Sequence, residues 1–191
     1  MATVSLAEKP TLLGEKVLLR PVEVADVGAA LDPDPESDRL TGSLHEFAVE
    51  TRERWYATRA DFDDRLDLAV VDRATGRYCG EVVLNGLDPD NRACNFRIVL
   101  LYDRNRGRGL GTEATRLILA HAFETVGMHR VELAVYRFNP RARRVYDKVG
   151  FVYEGTMRDA LLWEGNWVDA DTMSILDREW AVHHGYPEGQ R

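Results

Sequence analysis

The sequence Arg106-Gly107-Arg108-Gly109-Leu110-Gly111-Thr112 decides the fold, because it joins an apolar stretch that ends near Tyr102 to an amphipathic segment that begins at Leu110. Glycines at alternate positions allow the backbone to turn tightly without a Cβ in the way. The N–H groups that follow can then converge on one anion at a helix N-terminus, where the helix dipole also favours negative charge. The expected ligand is therefore a phosphate group.

The glycine spacing argues against two familiar phosphate loops. A Walker A loop ends in Gly-Lys-Ser/Thr, whereas this chain continues Gly111-Thr112-Glu113 without a lysine. A dinucleotide fingerprint anchored at Gly107 and Gly109 needs a third glycine where Thr112 stands. Nucleoside triphosphates and dinucleotides are thus disfavoured. A glycine-rich loop that only turns the chain remains an alternative, because short glycine motifs match by chance.

A second segment, residues 139–151, predicts a short helix with both ends marked. Asn139 suits the N-cap, Pro140 suits the first helical position, and Gly150 suits the left-handed residue that ends a helix. An apolar stretch from Val131 to Arg137 precedes it and predicts a strand. These features are structural, and they do not by themselves indicate a reaction.

Together the two segments resemble the GNAT superfamily of acyl-CoA-dependent N-acyltransferases. The loop matches the family pattern Arg/Gln-x-x-Gly-x-Gly/Ala, and residues 139–151 match Asn-x-x-Ala/Ser-x-x-x-Tyr-x-x-x-Gly-Phe. The stretches 151–158 and 165–176 are similar to the RimJ/RimL-type branch, which includes acetyltransferases of ribosomal-protein N-termini. The resemblance spans residues 14 to 180, roughly, and it implies an acetyltransferase that uses acetyl-CoA as co-substrate.

The resemblance and the alternation of apolar segments predict one α/β domain over residues 1–191, with a core from about 14 to 180 and short flexible termini. The expected architecture is a GNAT-like three-layer fold, in which a mixed sheet of about seven strands carries helices on both faces. The predicted strands are Val17–Arg20, Leu66–Asp72, Tyr78–Leu84, Cys94–Tyr102, Val131–Arg137, Phe151–Thr156 and Asp169–Ile175. The predicted helices are Val24–Leu31, Glu50–Arg59, Leu110–Thr125 and Pro140–Val149.

The resemblance also implies the residues of the acyl-CoA site. Asn139 is expected to contact the pantetheine arm, and Tyr146 to lie beside the thioester sulfur, where it protonates or hydrogen-bonds the departing thiolate. The backbone N–H near Leu101 is the expected donor to the developing oxyanion. Packing of Tyr146 on the sheet is the structural alternative. The full set of expected cofactor-binding residues is Leu101, Tyr102, Arg106, Gly107, Arg108, Gly109, Leu110, Gly111, Thr112, Asn139 and Tyr146.

Acyl transfer to an amine also needs a route for the amine's proton. An amine with a pKa of about 10 is mostly protonated at neutral pH, so a carboxylate or water must accept its proton. Glu81 is the first candidate, because its strand is expected to neighbour the strand that enters the phosphate loop. His45 and Glu46 are reserves, and a surface strand position is the structural alternative for Glu81.

Composition limits the kinds of partner that the protein is expected to bind. A formal net charge of −7 argues against nucleic acid, and no apolar run predicts a membrane span. Without a basic, apolar leader at residues 1–9, the expected location is the cytoplasm. Two cysteines without zinc spacing and five unclustered histidines predict buried free thiols and no metal. The acidic stretches 32–38 and 61–64 suggest solvated loops or attraction for cationic substrates.

The expected partner is an amine-bearing acceptor, which is a protein N-terminus, a lysine or a small-molecule amine, and the resemblance also allows a homodimer. Two other functions stay open. One is an enzyme of the same fold that uses another donor such as succinyl-CoA. The other is a non-catalytic acyl-CoA-binding regulator, against which the presence of Tyr146 and of a candidate base argues.

Overall fold

A computed structural model describes residues 4–32, 34–43 and 48–184, and a single eight-stranded sheet organises them. Its order is β1-β2-β3-β4-β5-β6-β8-β7. The strands are β1 (Leu12–Leu13), β2 (Val17–Pro21), β3 (Leu66–Asp72), β4 (Arg77–Asp88), β5 (Ala93–Leu100), β6 (Arg130–Tyr136), β7 (Val152–Trp163) and β8 (Asn166–Leu176). The reserve bases His45 and Glu46 lie outside the described residues.

Helices cover both faces of the sheet. They are α1 (Val27–Ala30), α2 (Pro35–Thr41), α3 (Val49–Thr58), α4 (Leu110–Ala120), α5 (Pro140–Val149) and α6 (Asp177–His184). The larger core joins one face of the sheet to apolar residues of α4, α5 and α6, such as Ile118, Val149 and Trp180. A smaller core on the other face joins Val27 of α1 and Tyr56 of α3 to Ala69 of β3.

The expected fold class is confirmed, with one strand more than anticipated. The additional strand, β1, has two residues, which is too short for an alternating pattern to show. Helix α5 has the predicted bounds, and its caps are formed as expected. The Asn139 side chain accepts the Ala142 N–H at 3.0 Å, and Gly150 is left-handed with a φ of 110°.

Two segments are more ordered than the sequence analysis anticipated. The acidic stretch 32–38 is not a solvated loop throughout, because α2 begins at Pro35 and ends before the left-handed Gly42. Its Ser37 is only 3% exposed. The C-terminal segment that contains His183 forms α6. Trp180 attaches this helix to the rest of the protein, because its ring stacks on the ring of Phe123 at a centroid distance of 5.7 Å.

The feature that positions the site is a separation of β5 from β6. These strands run parallel and pair only at residues 93–95 of β5 and 130–132 of β6. Beyond that point β5 continues beside β4 to Leu100, while β6 continues beside β8 to Tyr136. We call the space between residues 96–100 and 133–136 the strand gap. Its edges expose backbone groups that have lost their neighbouring strand.

Candidate active site

The glycine-rich loop connects the end of β5 to the start of α4. Gly107 and Gly109 have φ values of 73° and 86°, and α4 starts at Leu110 with Gly109 at its N-cap. A Cβ on Gly107 would meet nothing within 4 Å, so glycine is needed here for the positive φ of the backbone and not because space is short. The first N–H groups of α4 have no partner within the helix. This is the geometry of a backbone anion site.

Arg106, one of the expected cofactor-binding residues, has its side chain turned into the protein. Its side chain is 6% exposed and is held by the protein itself. The Nη2 group lies 3.0 Å from the Asp34 carboxylate and 3.0 Å from the Leu100 carbonyl, and it also donates to the Ser37 hydroxyl. The guanidinium is therefore a structural group of the loop, and only its backbone is available to a ligand.

Tyr102, also predicted to bind the cofactor, is tied to the same carboxylate. Its N–H donates to Asp34, and its hydroxyl donates to Asp32. The residue has a φ of 59° and a ψ of 143°, a backbone conformation that residues other than glycine rarely adopt. The start of α2 thus fixes the backbone at the end of β5.

Exposed positive charge near the loop comes from Arg108, which was predicted, and from four further residues that the sequence did not indicate. Arg108 is paired with Asp72 at 2.8 Å, although its side chain stays 43% exposed. A pocket of about 700 Å³ borders Gly109 and Thr112, and its cationic lining residues are Lys16, Arg73, Arg116 and Lys148. They come from distant parts of the chain, so no local motif marks them. The Lys16 ammonium donates to the Arg108 carbonyl at 3.2 Å.

The backbone of β5 corrects the expected oxyanion donor. The Leu101 N–H donates to the Cys79 carbonyl of β4 at 2.9 Å, so it is already used within the sheet. Hydrogen bonding alternates along an antiparallel strand, and β4 and β5 pair in a regular register from Gly80 to Asn85. The N–H groups of Ile98 and Leu100 therefore point to the opposite edge, into the strand gap.

Tyr146 lies on the α4 and α5 side of the sheet. Its ring is 7% exposed and packs edge-on against Phe96 of β5 and Phe151, with centroid distances of 6.1 and 5.7 Å. Within the described ranges no group hydrogen-bonds its hydroxyl. Burial raises the pKa of this phenol, so the proton stays on the oxygen at neutral pH.

Asn139 performs two tasks at the start of α5. Its carbonyl oxygen caps the helix, and its Nδ2 group donates to the Leu40 carbonyl of α2 at 3.3 Å. The residue stands three positions after the last residue of β6, at the far border of the strand gap. The amide thus joins the start of α5 to the end of α2.

Glu81 is a part-buried carboxyl on β4 and not a solvated strand residue. Its Oε1 atom accepts hydrogen bonds from the Tyr78 hydroxyl at 2.7 Å and from the Tyr56 hydroxyl of α3. Burial raises the pKa of Glu81 to about 7, with Asp26 adding to the rise and Arg52 opposing it. A carboxyl with this pKa can accept a proton at neutral pH.

Glu81 and Tyr146 lie on opposite faces of the sheet. Glu81 pairs across the ladder with Val99 of β5, so their side chains share a face, whereas Tyr146 contacts Phe96. Val99 and Phe96 are three residues apart on one strand and point to opposite faces. The strand gap lies between these two faces, where β5 and β6 no longer pair.

The described residues contain no group of three or more His, Cys, Asp or Glu side chains that could hold a metal ion. Both cysteines are free and buried, as predicted. None of the helices among the described residues is long and apolar enough to cross a membrane.

Comparison with known families agrees with this geometry. Residues 16–152 match the acetyltransferase (GNAT) domain, which covers the loop, the strand gap and α5. The chain belongs to the GNAT family of N-acetyltransferases, as the resemblance of the two motifs predicted.

Individual relatives are distant. The chain is 33% identical over 105 residues to the Bacillus subtilis protein named "Putative ribosomal N-acetyltransferase YdaF", an alignment that covers 55% of this chain and 57% of that protein. It is 27% identical over 175 residues to "Probable N-acetyltransferase YjcK" of the same organism, covering 87% and 97%. Spermidine N(1)-acetyltransferase of Escherichia coli K12 is 26% identical over 124 residues, covering 65% and 66%.

A solved structure confirms the fold. Spermidine N-acetyltransferase from Vibrio cholerae, in complex with CoA and spermine, superposes with a TM-score of 0.79. The match covers 87% of this chain and 99% of that chain at 21% identity. At this identity the likeness concerns the arrangement of strands and helices, and not the substrate.

Proposed function

We propose that the protein transfers an acetyl group from acetyl-CoA to a primary amine by direct attack in a ternary complex. The observation that carries this proposal is the strand gap, which opens between a phosphate-binding loop, a protonated phenol on one face and a carboxyl on the other. A thioester in the gap is reached from the α5 face, and an amine from the Glu81 face.

The diphosphate of acetyl-CoA fits the loop, whose N–H groups converge at the start of α4. Four cationic side chains border the same loop, and they would bind the 3′-phosphate on the ribose of CoA. These are Lys16, Arg73, Arg116 and Lys148. This assignment replaces the expected role of the Arg106 side chain, which is buried against Asp34.

Each step of the reaction has a group that can accept or donate the proton or hydrogen bond that the step needs. Glu81 accepts the amine's proton, because its pKa of about 7 leaves it ionised in part at neutral pH. The N–H groups of Ile98 and Leu100 stabilise the oxyanion that forms when the amine nitrogen attacks the thioester carbon. Tyr146 then protonates the thiolate as the C–S bond breaks. No acyl-enzyme forms, so Cys79 and Cys94 are not needed.

The acceptor is a protein N-terminus, a lysine or a small-molecule amine. Among the relatives, the names of the Escherichia coli enzyme and of YdaF point to a polyamine and to a ribosomal protein, respectively. The net charge of −7 favours a cationic acceptor in either case. Another acyl donor such as succinyl-CoA is the second candidate, since a phosphate loop recognises the CoA portion that all these donors share.

A panel of amines tests this function. We expect thiol release from acetyl-CoA with at least one of spermidine, a peptide with a free N-terminus, a lysine peptide and an aminoglycoside. Succinyl-CoA is run in parallel, and faster release from it would change the donor. If acetyl-CoA and succinyl-CoA both bind by calorimetry but no amine releases thiol, the protein is a regulator and the proposal fails.

Replacing Gly109 by valine is expected to weaken acetyl-CoA binding about tenfold or more, because a branched residue at a φ of 86° strains the loop by ~1–2 kcal/mol and narrows the anion site. Gly111→Ala is the matched control. Gly111 has no positive φ, its Cβ would meet the flexible Leu100 side chain at 3.2 Å, and alanine suits the family pattern. Calorimetric titration measures both, and equal affinities of folded variants would refute the loop assignment.

A further inference from the structure

The buried Arg106–Asp34 pair joins two elements that are far apart in the sequence. Arg106 belongs to the phosphate-binding loop, and Asp34 precedes α2. The two side chains are 6% and 10% exposed, and their charged atoms lie 3.0 Å apart. Ser37 of α2 adds a hydrogen bond to the Leu100 carbonyl at 3.1 Å. The start of α2 is thus attached to the loop and to the last residue of β5.

The other end of α2 is attached across the strand gap. Asn139 donates to the Leu40 carbonyl, and a Cβ on Gly42 would lie 2.7 Å from the Tyr136 ring. Tyr136 is the last residue of β6. Helix α2 therefore crosses the open end of the strand gap, from Leu100 on one side to Tyr136 on the other.

The pair is built to stay charged. Burial opposes ionisation of Asp34, but the Ser37 hydroxyl, the Tyr102 N–H and the Arg106 guanidinium outweigh it and lower its pKa. Loss of either partner would leave a buried charge without compensation, which strongly destabilises a local structure. By contrast, the Arg39–Glu36 pair on the same helix has side chains that are 37% and 50% exposed, and it contacts neither β5 nor the loop in this way.

We propose that Arg106 is a positioning residue, which couples the phosphate-binding loop to α2. When acyl-CoA occupies the loop, this coupling orders α2, and α2 is the wall of the strand gap past which the acceptor amine enters. The role of α2 in guiding an acceptor amine rests on the proposed function. The coupling itself requires only the loop, the ion pair and α2. It assigns Arg106 to acceptor positioning and not to direct contact with the diphosphate.

Hydrogen exchange of residues 35–41 measures the coupling directly. In the protein without ligand, Arg106→Gln and Asp34→Asn are each expected to speed exchange in α2 about tenfold, and the double variant no further, because one interaction is lost in all three. Arg39→Gln, the matched control, removes only the exposed pair with Glu36 and the contact of the guanidinium with the Phe138 ring, and it should speed exchange by no more than about twofold. Arg106→Lys keeps the charge and should restore part of the protection.

Addition of acetyl-CoA completes the test. We expect it to protect both residues 107–112 and α2 in the wild type, but only residues 107–112 in Arg106→Gln, with a Kd that changes by no more than about threefold. Equal exchange of α2 in Arg106→Gln and Arg39→Gln would overturn the proposed coupling of the loop to α2. So would a loss of acetyl-CoA affinity as large as that of Gly109→Val, since Arg106 would then be a cofactor ligand. If acetyl-CoA fails to bind the wild type, the proposed function is wrong, and the ligand-free exchange alone decides the attachment of α2.

Discussion

Glu81→Gln is expected to lower kcat/KM on the order of 10²-fold near pH 8, the usual size of a general-base contribution. The loss should depend on pH in two directions. Below a pH of about 7 the wild-type carboxyl is itself protonated, so the two enzymes converge. Toward pH 10 the free amine loses its proton without help, so they converge again. The ratio of the two activities is therefore largest between these limits.

Rates of thiol release from about pH 6 to pH 10, on an amine that the panel has verified, measure this profile. Glu53→Gln is the matched control, because Glu53 lies on α3, the helix that carries Tyr56, but is exposed. It should follow the wild-type profile. A Glu81→Gln profile parallel to that of the wild type at all pH values would remove Glu81 from the reaction and leave water as the proton acceptor.

The same pKa predicts a change in stability of the wild type. Because the folded protein raises the pKa of Glu81, folding favours the protonated carboxyl. The stabilisation is fully present below the ordinary glutamate pKa and is lost as the pH rises through about 7. The Glu81→Gln variant cannot ionise there, so its Tm should fall less between pH 4.5 and about pH 7 than that of the wild type.

Local sequence signals accounted for much of the fold. The helix from Pro140 to Val149 was predicted to the residue, because asparagine, proline and glycine each specify a backbone conformation at its ends. The same signals mark α2, where Pro35 occupies the first turn and Gly42 is left-handed. That helix was missed because its high content of acidic residues was interpreted as solvation, and charge does not distinguish a capped helix from a loop.

The parts of the site that escaped prediction depend on contacts across the chain. The loop pattern predicts a role for Arg106 in the phosphate-binding loop, but nothing near it in the sequence shows that its side chain turns toward Asp34. Tyr56 reaches Glu81 from another element, and the cations Lys16 and Lys148 meet only after folding. Motifs encode the local backbone, whereas side-chain partners depend on how the helices pack against the sheet.

The Leu101 prediction failed for a related reason. A strand that is expected to end at Tyr102 gives no information on which of its N–H groups face a neighbouring strand. The pairing of Leu101 with Cys79 fixes that alternation and turns Ile98 and Leu100 toward the strand gap. A shift of one residue therefore exchanges a donor used by the sheet for a donor that is available to a substrate.

Tyr146→Phe is expected to lower kcat on the order of 10²-fold while acetyl-CoA affinity and Tm stay nearly unchanged. The ring supplies the packing against Phe96 and Phe151, which phenylalanine retains, and no described group depends on the hydroxyl for a hydrogen bond. Only the developing charge on sulfur loses a partner. The phenol is protonated at neutral pH and can donate to the sulfur, although burial, which raises the pKa of Tyr146, makes it a weaker acid.

Turnover, calorimetric titration with acetyl-CoA and thermal unfolding together separate the chemical role from the packing role. Tyr153→Phe, at an exposed tyrosine of β7, is the matched control and should retain wild-type kcat. Wild-type turnover of Tyr146→Phe would mean that water protonates the thiolate. A fall in Tm that accompanies the loss of kcat would instead trace the defect to the core, because a buried hydroxyl without a hydrogen-bond partner does not stabilise the folded state.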